Sequence, residues 1–468
     1  MTSDESLRRA WTLAETYLRR LPDRPVGSAL GFDAVRARLA TGLSEEGVDP
    51  LRVIDELAAA AEPGLVATPG PRYFGFVIGG SVPAALAADQ LVSAWDQNAA
   101  LARSSPASAA VESVAAEWLL DLLGLPKTAS VGFVTGCQMA NFTCLAAARD
   151  AVLRRAGWDV EQDGLQGAPT VNIMVGDQAH ATIFSALRYL GFGSQRALHV
   201  AADGQGRMRP DALANALARI DGPAIVCAQA GEVNTGAFDD VEAIASQTRE
   251  RGAWLHVDGA FGLWAAASPA LRHLTKGMDR ADSWATDAHK WLNVPYDCGL
   301  AMVADGDAHR AAMTKSAAYL IRGQGSERDP HDFTPESSRR ARGFAVYAAL
   351  RSLGRSGVAS MIERGCHLAS RMAGRIDGKD GASVINDVVL NQVLVRFEPP
   401  NGGDADAFTR AVIRRVQEDG TCWLGGTRWH DHDAMRIAVS NWSTTEADID
   451  RSAAAILACA RSEATAAR

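Results

Sequence analysis

The residues able to do chemistry fall at a few well-separated places. Lys290 stands in TDAHKWLNVPYDCG (Thr286 to Gly299), between a histidine and a tryptophan in apolar surroundings. A lysine is seldom buried without a reason, and desolvation lowers its pKa toward a neutral, nucleophilic amine. Asp258 closes the apolar run WLHVD, where a carboxylate is costly unless a cation or donor faces it. After VGFV (Val131 to Val134) comes TGCQMANFTCLAAARD, a turn at Thr135 and Gly136 feeding a helical pattern. Such a turn at a helix N-terminus offers backbone N–H groups to an anion, most often a phosphate. His180 opens the next helical pattern in GDQAHATIF, and GEVNTGAFDD offers Asn234 and Thr235 to a ligand. In GAFG after Asp258, Gly259, Ala260 and Gly262 leave space beside the backbone.

Each feature has a plainer reading by itself. A lone HKW lysine is a surface residue whose stem covers Trp291, a lone histidine at a helix start is a cap or packs, and glycine turns serve as tight connections. His180, His256, Asp258 and His289 are metal-ligating types, but none has HxxxH or CxxC spacing, and no metal is assigned. Taken together, these positions call for one ligand with a phosphate, a flat ring with a basic nitrogen, and an aldehyde. Pyridoxal phosphate has all three: a lysine holds it as a Schiff base, and an acid tunes its ring nitrogen.

The elements that must position these residues read as an α/β fold. VGFV, VNIMV (Val171 to Val175), AIVCAQA (Ala224 to Ala230), WLHVD and GLAMV (Gly299 to Val303) alternate with helical patterns, which predicts a mostly parallel sheet covered by helices. Ligands of such sheets sit beyond the carboxyl ends of the strands, where the residues above fall. NQVLVRF (Asn391 to Phe397), a helix over Asp404 to Gly420 and MRIAVS (Met435 to Ser440) predict a smaller C-terminal α+β domain. RGQGSERDPHDFTPESSRR (Arg322 to Arg340) reads as a long mobile loop, the length at which lids occur. No GxGxxG turn follows the first middle strand, which argues against a nicotinamide-binding protein.

The chain has 468 residues, is 47% hydrophobic and carries a net charge of −8 without basic runs, so nucleic acid is not an expected partner. No segment suits a membrane span, and MTSDESLRRAWTLAETYLRR lacks the apolar core of a secretory signal and reads as an amphipathic helix. Seven scattered cysteines, an odd number, predict reduced thiols and a cytoplasmic protein.

In these residues the chain resembles the group II pyridoxal-phosphate decarboxylases, which include aromatic amino-acid, histidine and glutamate decarboxylases. The resemblance runs from PRYFGFVIGGSVPAALAADQLVSAWDQNA (Pro71 to Ala99) through TGCQMANFTCLAAARD, DQAHATIFSA, HVDGAFG and DAHKW to MRIAVSNWSTTEADID (Met435 to Asp450). It implies a fold-type I, aspartate aminotransferase-like homodimer. Residues 1–70 would pack on the partner subunit, 71–320 form the cofactor domain, 321–340 the mobile loop and 341–468 the small domain. It implies Lys290 as the Schiff-base lysine, Asp258 at the pyridine nitrogen and His180 stacked on the ring. Gly136, Cys137, Gln138 and His289 would lie at the phosphate, Ala260 under the ring, and Arg436 at the substrate carboxylate. Tyr73, Phe74 and Trp95 would be pocket aromatics, with a core role as their alternative. The implied reaction is decarboxylation of an L-amino acid through a quinonoid.

The pattern departs from the family in four places. Cys137 and Gln138 replace the usual Gly-Thr or Gly-Ser of the phosphate turn, and Gly231, Glu232 and Val233 replace Gly-Thr-Thr. A glutamate facing the cofactor or substrate predicts altered specificity. Asp287 stands where some members carry a neutral asparagine near the phosphate. Between Arg322 and Arg340 there is Phe333 but no tyrosine, and Tyr319 lies just before. Since a loop tyrosine is thought to return the proton after decarboxylation, aldehyde formation, carbon–carbon lysis and transamination stay open as outcomes, as does a binding role without catalysis.

Overall fold

The apolar runs of the middle sequence become strands because both of their faces are covered. They are β1 (Ser130–Val134), β2 (Asn172–Gly176), β3 (Leu198–Val200), β4 (Ala224–Gln229), β5 (Trp254–Asp258), β6 (Ser283–Asp287) and β7 (Gly299–Val303), joined in one sheet of order β1-β7-β6-β5-β4-β2-β3. β3, β2, β4, β5 and β6 are parallel neighbours, while β7 is antiparallel to both β1 and β6. The α/β class and the mostly parallel sheet agree with the sequence reading. β3 and β6 go beyond it. β3 is a three-residue edge strand, and β6, SWATD, carries polar residues that are nonetheless all buried.

This is a computed structural model, and it describes residues 3–314 and 328–466. The chain divides into two units, one of Gly79–Ala369 with Asn386–Gln392, the other of Met1–Ile78, Ser370–Ile385 and Val393–Arg468. In the first unit the helix Cys137–Arg155 is buried along most of its length. Ala140, Cys144, Ala147, Ala148 and Ala151 give it a small-residue surface that lets the backbone approach the sheet, and alanine also favours the helix itself. Glu112 and Arg339 form a buried bidentate ion pair at 2.7 and 2.8 Å.

Part of the predicted mobile loop is firmly packed. Pro330–Phe333 forms a short 3-10 turn in which Pro330, His331 and Phe333 are buried, and the Phe333 ring meets the buried His309 edge-on at 5.3 Å. The Asp329 carboxylate accepts from Ala102 N–H at 2.9 Å, and His331 N–H donates to the Ala100 carbonyl at 3.0 Å. Tyr319 and residues 321–327 lie outside the described residues.

The second unit gathers the N-terminal helices Ser3–Arg20, Phe32–Leu39 and Pro50–Ala61 with a sheet of order β10-β11-β9-β8, made of β8 (Ala382–Val384), β9 (Gln392–Phe397), β10 (Gly425–Trp429) and β11 (His432–Ala438). Helices Ala405–Asp419 and Glu446–Ala466 complete it. Arg72, 2% exposed, binds three carbonyls here: Nε donates to Thr421 at 2.7 Å, Nη2 to Arg24 at 3.0 Å, and Nη1 to Pro22. A buried guanidinium needs such partners to offset desolvation.

Candidate active site

The carboxyl ends of β1, β4, β5 and β6, with the turn after β2, enclose a cavity of about 260 Å³. Gly136, Cys137, Gln138, His180, Asp258, Ala260, His289 and Lys290 all line it. Eight residues read from four stretches of sequence therefore meet at one place. Thr182, Gln229, Gly231, Val233, Phe261 and Asp287 complete the lining.

At one end the first turn of helix Cys137–Arg155 lines the cavity, a helix N-terminus suited to an anion. Its approach depends on two glycines: a Cβ on Gly299, at the start of antiparallel β7, would lie 2.4 Å from the Gly136 carbonyl carbon. Asp287, ending β6, reaches the same spot. Its Oδ1 accepts from Cys137 N–H at 2.6 Å, and its Oδ2 lies 3.0 Å from Lys290 Nζ. His289 Nδ1 accepts from Cys298 N–H at 3.1 Å, so its proton sits on Nε2, 3.4 Å from Asp287 Oδ1. Burial is the largest influence on the His289 pKa and lowers it, which suits a neutral ring.

Lys290 keeps 23% of its side chain accessible. Desolvation, the largest influence, pulls its pKa down, but the charge and hydrogen bond of Asp287, with the charge of Asp258, raise it above the ordinary value. This corrects the sequence expectation of an amine made neutral by burial. The expectation took no account of Asp287, whose carboxylate meets the ammonium directly.

At the other end of the cavity Asp258, 5% exposed, has only donors around it. Oδ1 receives Ala260 N–H at 3.2 Å and the Cys137 thiol at 3.4 Å, and Oδ2 receives the Asn141 amide at 3.1 Å. The Cys137 side chain thus faces the acid, while its backbone N–H serves the anion end. Burial, then Asp258 and Asp287, push its thiol pKa well up. Asn141, with no polar signal to separate it from the rest of its helix, escaped the sequence reading. His180 is the N-cap of helix Ala181–Tyr189, its Nδ1 accepting from Thr182 N–H at 3.3 Å, and is exposed to the cavity. His256 is not free for a metal: its ring nitrogens lie 2.9 Å from Ser283 Oγ and 2.9 Å from Asn141 Oδ1.

Glu232 does not face the cavity. It is 1% exposed and turns into its own loop, accepting from Asn234 N–H at 2.7 Å, Asn234 Nδ2 at 2.9 Å and Thr235 N–H at 2.7 Å. The prediction that it meets the substrate is corrected on this geometry: an acid in a buried turn takes the nearest backbone donors. Tyr73, Phe74 and Arg436 belong to the other unit. There Tyr73 is buried and stacked on Trp423 with centroids 5.1 Å apart, Phe74 is 1% exposed, and Arg436 pairs with Gly425 across β11 and β10. Trp95 is half exposed and meets Phe344 edge-on.

The donor set fits pyridoxal phosphate: helix-end N–H groups and His289 for the phosphate, a carboxylate for the ring nitrogen, and a lysine between them. Asp287, the one acid at the anion end, is compensated by Lys290 and Cys137 N–H.

Comparison with known proteins points to the same cofactor. The chain is similar to tryptophan decarboxylase 1 of Oryza sativa subsp. japonica, at 29% identity over 82% of this chain and 79% of the relative. It is similar also to the aromatic-L-amino-acid decarboxylase of Bacillus atrophaeus, at 26% identity over 92% and 89%. The solved structure of Oryza sativa TDC with PLP and tryptamine shares the fold with a TM-score of 0.91, at 24% identity over 99% of both chains. The family model described as the pyridoxal-dependent decarboxylase conserved domain matches residues 35–398, and the chain belongs to that family of pyridoxal-phosphate-dependent amino-acid decarboxylases.

Proposed function

We propose that the cavity beyond β1, β4, β5 and β6 decarboxylates an L-amino acid, with Lys290 and Asp258 as its principal groups. The observation that carries this reading is that a lysine amine, a carboxylate with only donors around it and an open helix N-terminus line one cavity. Lys290 would hold the cofactor's aldehyde, the N–H groups from Cys137 onward with His289 its phosphate, and Asp258 its ring nitrogen. Ala260 would bear on one ring face and His180 on the other. Bound there, pyridoxal phosphate supplies an electron sink for the pair released when the substrate loses CO2.

The residues of the chain have their own tasks. Lys290 must shed a proton before its amine is a nucleophile, and the ion pair with Asp287 Oδ2, 3.0 Å away, opposes that loss. Asp258, an acceptor by every contact, suits a protonated ring nitrogen. His180, with Nδ1 occupied as a cap acceptor, presents Nε2–H as a donor for proton traffic. Arg436 is proposed as the carboxylate contact, since guanidinium forks pair with carboxylates; Tyr73 and Phe74 as pocket aromatics rest on the family resemblance.

The proposal extends to a cytoplasmic homodimer whose N-terminal segment before Pro71 packs on the partner. Leu7, Trp11, Phe32 and Leu43 are exposed along that segment, an apolar set suited to a second copy. Free cysteines, among them buried Cys137, Cys144 and Cys227, suit a reducing compartment.

The test is CO2 release by the cofactor-loaded protein across the standard amino acids, with product identification and borohydride mapping. Amine product and a reduced adduct on Lys290 are expected, and Lys290→Ala loses both. No CO2 release, or an adduct elsewhere, overturns the reading; aldehyde as the product replaces simple decarboxylation with its oxidative variant. Sedimentation as a monomer at micromolar concentration would overturn the dimer.

A further inference from the structure

Asn141 is fully buried and uses both ends of its amide. Nδ2 lies 3.1 Å from Asp258 Oδ2 and 3.4 Å from Thr182 Oγ1, and Oδ1 lies 2.9 Å from His256 Nε2. Beyond His256, its Nδ1 is 2.9 Å from Ser283 Oγ, which is 2.9 Å from Trp254 Nε1. Beyond Thr182, its Oγ1 is 2.8 Å from His180 Nδ1. His256 and Ser283 are fully buried, so each of these groups depends on its protein partners.

The donors fix the proton order. Asp258 takes a hydrogen from Asn141 Nδ2, so Asn141 Oδ1 faces His256 Nε2 and needs its hydrogen; the neutral ring then accepts at Nδ1 from Ser283 Oγ, which itself accepts from Trp254 Nε1. His256 then carries its proton on Nε2 and gives it to Asn141 Oδ1. The two Asn141 Nδ2 hydrogens go to Asp258 and Thr182. The Thr182 hydroxyl donates to His180 Nδ1, which already accepts from the Thr182 backbone, so the His180 proton sits on Nε2. Turning the Asn141 amide over would set its oxygen against the Asp258 carboxylate and its NH2 against a protonated His256 nitrogen. Burial pushes the His256 pKa down to about 4, in keeping with a neutral ring. Other titratable groups around the chain are the Cys137 thiol on Asp258 Oδ1 and Lys290, whose charge interacts with Asp258.

We propose that Asn141 is a positioning residue that, through one directed hydrogen-bond chain starting at Trp254, orients the Asp258 carboxylate and fixes the proton of His180 on Nε2. This rests on the roles proposed above for Asp258 and His180, but its test does not need an amino-acid substrate. The holoenzyme is titrated with pH while the absorbance of bound pyridoxal phosphate is followed, for wild type, Asn141→Leu, His256→Gln and His256→Phe.

The titration midpoint of Asn141→Leu is expected to move by about one pH unit or more, and its kcat to fall by about tenfold or more with KM nearly constant. His256→Gln, whose amide can accept from Ser283 and donate to Asn141, stays within about threefold of wild type in kcat. His256→Phe, which can do neither, behaves like Asn141→Leu. A folded Asn141→Leu protein with full cofactor content and an unmoved midpoint overturns the proposal. If Asn141→Leu does not fold, the two His256 variants decide: identical midpoints in Gln and Phe overturn it, and a shift only in Phe supports it. Failure of the decarboxylase reading has a different signature, a wild-type protein that releases no CO2 while the titrations still differ.

Discussion

Asp287 couples the anion end of the cavity to Lys290, and the balance of charges around it decides how tightly a phosphate is held. A carboxylate that accepts from Cys137 N–H stands against a dianion seeking the same donors. Asp287→Asn is therefore expected to bind pyridoxal phosphate about tenfold more tightly, about 1.4 kcal/mol. The same change removes the main charge that raises the Lys290 pKa, leaving desolvation to lower it. Absorbance titration of the apoprotein with the cofactor checks the first effect, and unchanged affinity would refute it. In wild type the sign is fixed by Lys290: its raised pKa keeps the amine protonated to higher pH, so adduct formation speeds up as pH rises. At this scale residue types were legible and directions were not. Lys290, Asp258 and His180 announce themselves by type against an apolar background. That Glu232 turns inward and the Cys137 thiol points at Asp258 depends on backbone donors that a string of letters does not locate.

The strands bring these side chains together through their direction as much as their composition. β7 returns antiparallel between β1 and β6, which places Gly299 at the carboxyl edge against Gly136. A methyl there meets backbone that has nowhere to go, so Gly299→Ala is expected to destabilise by about 1–3 kcal/mol and to weaken cofactor binding by displacing the Gly136 turn. Denaturant unfolding of the apoprotein and cofactor titration separate the two effects; unchanged values for both would mean the contact is slack. The runs VGFV, WLHVD and GLAMV were legible as strands because burial on both faces leaves them continuously apolar. SWATD was not, since Ser283, Thr286 and Asp287 are buried for their hydrogen bonds and site contacts rather than for hydrophobicity. Antiparallel insertion of β7 left no mark on composition either. The packed turn Pro330–Phe333 was read as loop because its polarity hid two buried rings.

Across the whole molecule, buried neutral histidines tie stability to pH. Burial is the largest influence on both His256 and His309 and pushes their pKa values to about 4 and about 3. In the unfolded chain both titrate near the ordinary histidine value, so the stability they protect is complete above that value and is lost as pH falls toward the folded pKa. Each is expected to cost roughly 2–3 kcal/mol between about pH 6.5 and 4.5. His309, hydrogen-bonded to Ser130 Oγ at 2.8 Å and not among the residues lining the cavity, is the cleaner probe. His309→Gln should flatten the acid side of a urea-unfolding series, and an unchanged slope would show that other groups carry it. Arg72 bears on a different question, where this chain can be cut or extended. Its guanidinium is closed by the carbonyls of Pro22, Arg24 and Thr421, so a start point moved beyond Arg24 would strand a buried cation with only one of the three. Trimming past Leu21 and Val26 would also remove buried core residues, so tags and fusions belong ahead of the first helix.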